Sequence, residues 1–185
     1  MKVLAVSGSL RRDSHNTQLL RAAAAAAPEG VELELWDGVR DLPLYDEDLE
    51  RGELPEPVRR LRDDWAAADA ILFATPEYNG SVPGALKNAV DWGSRPKGAA
   101  VLLNRTVAIV GASTGRFGAL WAQQDLRKSL GVAGARVVGE GLPVALAHER
   151  FDADGRLLDE ELAGRLRELL ELLALEFEAE QRLAA

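Results

Sequence analysis

The sequence contains no cysteine. Disulfides, thiol chemistry and thiolate-bound metals are therefore excluded. Histidine is almost as scarce, with only His15 and His148, far apart in a chain of 185 residues. A histidine-based metal centre or a Ser-His-Asp triad has little to be built from, and both histidines read as surface or loop residues. A basic excess is also missing. The formal charge is −8 and the isoelectric point about 4.9, which argues against nucleic acid or an anionic membrane as the main partner. No apolar run approaches the roughly 18 residues that cross a bilayer. The N-terminus enters a strand-like segment at once, without a signal-peptide pattern, so the expected location is the cytoplasm. Two phosphate-loop signatures are absent as well. Without G-x-x-x-x-G-K-[ST] there is no nucleoside-triphosphate cradle, and without G-x-G-x-x-G there is no pyrophosphate fingerprint. What is left, 47% hydrophobic and 28% charged, is the composition of one soluble domain over residues 1–185 with a full core.

The chain is organised around its first turn. Val3 to Val6 is a short apolar run that reads as a buried strand. Ser7, Gly8 and Ser9 follow, and a helix opens near Asn16 and runs into an alanine tract ending about Ala27. A strand feeding a helix through a Gly/Ser loop gathers free backbone N–H groups at the positive end of the helix, which attracts phosphate. The hydroxyls of Ser9, Ser14 and Thr17, the Asn16 amide and the Arg11 guanidinium add donors suited to a phosphate monoester. Helix capping by Ser14 or Asn16 alone would use some of the same residues.

Farther along, 31–36 alternates apolar and charged residues and predicts a half-exposed edge strand. Residues 37–57 are rich in Pro, Asp and Glu and predict a long loop. Val58, Leu61 and Trp65 share one face of a helix over 57–68. A buried strand at 69–74 runs into a second polar loop, Pro76-Glu77-Tyr78-Asn79-Gly80-Ser81, and a helix over 83–92 carrying a Lys87–Asp91 pair. The strand at 105–111 ends in a third polar loop, 112–118, followed by a helix at 119–130 and a short last strand at 135–138. Asp152 to Gly155 is a turn that lacks the full calcium-loop pattern. Leu162, Leu166, Leu169, Leu170 and Leu173 mark one face of the final helix.

Alternating strands and helices predict a parallel sheet covered on both faces. In such a sheet the ligand lies beyond the carboxyl ends of the strands, where strand order reverses. The three polar loops share that edge. The first suits a phosphate, the second a flat ring approached by backbone, and the third, with Ser113 and Gly115, offers further N–H donors. FMN, with one phosphate and one planar polar ring, fits all three.

At these residues the sequence resembles the NADPH-dependent FMN reductases. Gly8-Ser-Leu-Arg-Arg-Asp-Ser-His-Asn-Thr17 is similar to the family's G-S-L-R-x-x-S-x-N phosphate loop. Pro76-Glu-Tyr-Asn-Gly-Ser-Val-Pro-Gly84 matches its P-E-Y-N-x-S-x-P-G loop, and Gly111 to Gly118 is similar to its third. The likeness runs from Met1 to about Leu146. It implies a flavodoxin-like three-layer α/β sandwich: a five-stranded parallel sheet, order 2-1-3-4-5, with helices on both faces. It also implies bound FMN, NADPH or NADH as donor, small acceptors such as quinones, azo compounds, chromate or free flavin, and a homodimer or homotetramer. By position, Ser9, Arg11, Ser14, Asn16 and Thr17 would hold the phosphate. Pro76, Glu77, Tyr78, Asn79 and Gly80 would line the isoalloxazine, with Ser113 near its pyrimidine end. Many members carry Arg and Tyr where Trp121 and Gln124 stand here, which bears on the outer pocket and the higher oligomer. The redox chemistry would belong to the cofactor, consistent with the lack of any nucleophile or acid–base constellation. Glu77 tempts a general-base role, but its backbone matters more on this reading. Trp92 and Trp121 suggest a dimer interface, unless both belong to the domain's own core. A flavodoxin-type electron carrier without turnover is the alternative, although its T-x-T-G-x-T phosphate loop differs from the one here.

Overall fold

The strands form where apolar residues run without interruption. In a computed structural model describing residues 1–184, β1 (Lys2–Ser7), β3 (Ala70–Ala74) and β4 (Thr106–Ala112) are the sheet's central strands. They pair in parallel in the order β2-β1-β3-β4-β5, with β2 (Glu32–Trp36) at one edge and β5 (Arg136–Val137) on the far side of β4. The alternation of Glu32, Glu34 and apolar neighbours is that of an edge strand, as the sequence implies.

Although β1, β3 and β4 are buried on both faces, the faces differ. Leu4, Val6, Ile71, Phe73, Val107 and Ile109 pack against α3 (Glu56–Ala67), α4 (Gly84–Gly93) and α5 (Leu120–Val132). Val3, Ala5, Ala70, Ala74, Ala108 and Val110 pack against α1 (His15–Ala25) and α6 (Glu160–Ala184). The second face carries the small residues, which lets α1 approach closely with Leu19, Leu20 and Ala23. Val58, Leu61 and Trp65 lie on the buried face of α3, and the five leucines expected of α6 are all buried.

Three expectations need correction. The sheet has six strands rather than five. β5 (Arg136–Val137) and β6 (Leu142–Val144) both pair with β4, one beyond the other. Gly139 and Gly141 between them have φ of 63° and 89°, a left-handed path that no ladder accommodates. Residues 37–57 are not a plain loop. They hold a 3-10 turn at Gly38–Asp41 and a short helix α2 (Glu47–Arg51), whose N-cap Asp46 accepts from Asp48 N at 2.8 Å. And Trp92 is not surface: it is fully buried, its indole N–H donates to Pro43 O at 2.8 Å, and Tyr45 stands edge-on to it. The strap at 43–45 covers the face of α4 from which Trp92 points.

Candidate functional site

The three polar loops leave β1, β3 and β4 at the same end of the sheet. Short backbone bonds tie these ends together: Gly8 N to Ala74 O at 2.7 Å and Thr75 N to Val110 O at 3.0 Å. A larger residue at Gly8 would force its neighbours to shift, because a Cβ there would stand 2.6 Å from Leu86 Cδ2 and 3.2 Å from Ala74 O. α4 therefore packs directly under the first loop.

In the first loop Ser14 is the N-cap of α1, with extended backbone and a side chain that accepts from Thr17 N at 3.3 Å. The first intrahelical bond is Gln18 N to Ser14 O at 2.9 Å, so the earlier N–H groups of the helix find no acceptor within it. Arg11 is exposed, and of its guanidinium one contact within the protein is seen, Nη2 to Asp13 O at 3.2 Å. Asn16 has a different task from the one its motif suggests. It is 3% exposed, donates from Nδ2 to Ala112 O and accepts at Oδ1 from Ala112 N, both at 2.9 Å. Its amide thus locks the start of α1 to the end of β4. Thr17 likewise turns inward, its hydroxyl 2.9 Å from Ser7 Oγ.

The second loop is a two-residue hairpin. Tyr78 and Ser81 exchange backbone bonds of 3.1 Å, and Asn79 and Gly80 between them have φ of 53° and 73°. That is the turn an Asn-Gly pair favours, a local signal in the sequence that shapes the second loop. Glu77 does not point its carboxylate into open space: Oε2 accepts from Ala122 N, at the start of α5, at 3.1 Å. Ser81 donates to Asp125 on the same helix, holding that carboxyl below its ordinary range. The third loop is fixed through Ser113, whose N–H donates to Val144 O at 3.1 Å and whose carbonyl accepts from Ala147 N at 3.0 Å.

A cavity of about 150 Å³ is lined by Ser9, Arg11, Ser14, Asn16, Pro76, Glu77, Tyr78 and Ser113, together with His15, Ala112 and Thr114. A second, of about 350 Å³, shares Arg11 and Tyr78 and adds Gly8, Leu10, Pro83, Gly84 and Ala85. Eight of the predicted residues are thus brought to one wall, while Thr17 turns inward to Ser7 and Asn79 and Gly80 form the exposed turn of the second loop. A larger cavity, about 680 Å³ between α4 and α5, contains none of the predicted residues. His15, which the sequence reading placed among surface residues, was missed. It opens α1, is 3.0 Å from Gln18 Oε1 through Nδ1, and stacks near Phe151.

The donor set fits a phosphate bearing a flat ring. Hydroxyls, a guanidinium and unpaired helix N–H groups face the first cavity, and its one carboxylate, Glu77, is spent on a helix end. Arg11 and Tyr78 link this polar half to the mainly apolar half around Leu10, Pro83 and Ala85.

Comparison with known proteins agrees. The NADPH-dependent FMN reductase family profile matches residues 1–149. The NAD(P)H-dependent FMN reductase PA1204 of Pseudomonas aeruginosa is 43% identical over 176 residues, 95% of this chain and 94% of that protein. A quinone reductase of Pseudomonas putida is 45% identical over 128 residues, 69% of this chain and 68% of its own. The flavoenzyme NAD(P)H:(acceptor) oxidoreductase FerB of Paracoccus denitrificans superposes with a TM-score of 0.81 at 36% identity, covering 94% of this chain and 97% of that one. The sheet is accordingly flavodoxin-like, and the chain belongs to the NADPH-dependent FMN reductase family.

Proposed function

We propose that the cleft between the three loops holds FMN, and that the protein moves electrons from NADPH or NADH to small acceptors, quinones foremost. The observation that carries this reading is the convergence of Ser9, Arg11, Ser14 and Ser113 with the Pro76–Tyr78 backbone on one cavity. When bound, FMN supplies the redox chemistry, accepting a hydride from the nicotinamide and passing the electrons on. The protein's part is binding and orientation. Arg11 and the hydroxyls of Ser9 and Ser14 take the phosphate with the first N–H groups of α1. Asn16 and Thr17 keep that turn in register from behind. Pro76 to Tyr78 present backbone to the ring, the Asn79-Gly80 turn sets their path, and Ser113 flanks it.

The same reading includes a homodimer in the cytoplasm. Phe117 and Trp121 are 58% and 47% exposed, with ring centroids 4.8 Å apart, beside the third loop. An exposed apolar pair of this size suits an isologous contact. Trp92 has no part in it, being core. Light scattering at micromolar concentration should give twice the chain mass, and Trp121→Ala should weaken the association. A monomer with full activity would overturn the dimer.

Steady-state oxidation of NADPH by the FMN-loaded protein with a benzoquinone tests the activity. Turnover that depends on both protein and quinone is the expected result. FMN binding without turnover would make the protein an electron carrier, and no FMN binding would sink the site.

A further inference from the structure

α5 begins without a cap of its own. The residue before it, Ala119, has a left-handed backbone, φ 60° and ψ 33°, and a methyl side chain that can accept nothing. Gly118 ahead of it is also left-handed, at φ 57°. The first turn carries no acidic residue, so its free N–H groups need acceptors from elsewhere. One comes from 45 residues earlier: Glu77 Oε2 accepts from Ala122 N at 3.1 Å. One turn further along, Asp125 accepts from the Ser81 hydroxyl. Ala122 and Asp125 are three apart and lie on one side of the helix, so both ends of the 77–81 hairpin are fastened to α5. The third loop is fastened to the same turn, since Gln123, 4% exposed, donates from Nε2 to Gly118 O at 3.0 Å.

We propose that Glu77 is a positioning residue. It acts through the Ala122 amide rather than on the ring or as a base, and it makes the ring loop and the first turn of α5 one mechanical unit. The proposal rests on the FMN reading of the cleft. Its consequence is specific: Glu77 supports the ring half of the site and leaves the phosphate half alone.

The test uses the full-length protein and two ligands, FMN and riboflavin, which share the ring and differ by the phosphate. Glu77→Ala should weaken both by a common factor, about three- to tenfold for a lost helix cap. The FMN-to-riboflavin ratio should stay as in the wild type. Amide exchange at Ala122 in the flavin-free protein should quicken in Glu77→Ala. Glu77→Gln, whose amide oxygen can still accept, should restore both affinities and the protection. If Glu77→Ala folds poorly, Ser81→Ala loosens the other end of the hairpin and should lower both affinities in the same proportion. Three results would overturn the proposal: unchanged affinities in Glu77→Ala, a selective loss of FMN, or a Glu77→Gln variant that protects Ala122 yet binds as weakly as Glu77→Ala. The Ala122 exchange measurement needs no flavin, so it separates failure of this proposal from failure of the FMN reading.

Discussion

Asn16→Ala should be the most damaging single change near the cleft that removes no ligand contact. The side chain is 3% exposed and makes two bonds of 2.9 Å to the backbone of one residue, Ala112. Truncation would leave the Ala112 N–H and C=O buried without partners. Each unsatisfied group costs about 1–3 kcal/mol, and the two together about 2–6 kcal/mol when water reaches neither. Against a total of about 5–15 kcal/mol for a domain, this is a large fraction. With a urea m-value of about 2 kcal/mol/M, the midpoint of the flavin-free protein should fall by about 1–3 M. Urea denaturation followed by circular dichroism reads it, with an unchanged m confirming that only the native state is affected. Asn16→Asp keeps the acceptor for Ala112 N but loses the donor for Ala112 O, and should fall between the two. A midpoint in Asn16→Ala within about 0.3 M of wild type would show that the amide bridges nothing of consequence and would refute the lock.

Three further outcomes are expected. Arg11→Ala, removing a charged donor worth about 1.5–3 kcal/mol, should weaken FMN about ten- to a hundredfold while riboflavin is unaffected; equal loss for both ligands in a fluorescence titration would remove Arg11 from the phosphate. Gly8→Ala would drive a methyl to 2.6 Å from Leu86 Cδ2, a fully buried side chain, and should destabilise by about 1–3 kcal/mol, read as a lower melting temperature; a variant as stable as wild type would contradict the close packing of α4 under the loop. The Ser81 hydroxyl depresses the Asp125 carboxyl, so its contribution is present above the ordinary aspartate value near 3.9 and is lost as pH falls through the lower folded value. Ser81→Ala should therefore flatten the acid limb of the stability profile below about pH 4; an unaltered limb would show that the bond does not hold Asp125.

What the sequence made legible was whatever a short window decides. The runs at Val3–Val6 and Ile71–Ala74 can only be buried strands, and Val58, Leu61 and Trp65 place α3 because their spacing repeats its turn. That Ser9, Arg11 and Ser14 share one cavity wall follows from a strand, a small polar loop and a helix in order. Roles set by a partner far along the chain were not readable. Asn16 looks like a phosphate donor until Ala112, 96 residues away, takes both its polar atoms. Trp92 looks like interface until Pro43 and Tyr45 cover it, on a segment whose path no local pattern gives. The split of the fifth strand turns on the left-handed backbone of Gly139 and Gly141, which is set by their place beside β4. The Asn79-Gly80 hairpin, by contrast, is set by a local pair of residues.

These hidden partners share a purpose. Each loop at the cleft has its backbone or its rear side chains committed elsewhere: Asn16 to β4, Ser113 to Val144 and Ala147, and Glu77 and Ser81 to α5. Few backbone freedoms are left to be lost when a ligand arrives, and a preformed cleft keeps more of the contact energy as affinity. The Arg11 guanidinium is the exception, exposed and seen to touch only the Asp13 carbonyl. Discrimination by charge therefore rests with the Arg11 guanidinium, while discrimination by shape belongs to the locked backbone of the loops. A change at Arg11 should alter which flavin is preferred, whereas a change at Asn16 or Glu77 should alter how well any flavin is held.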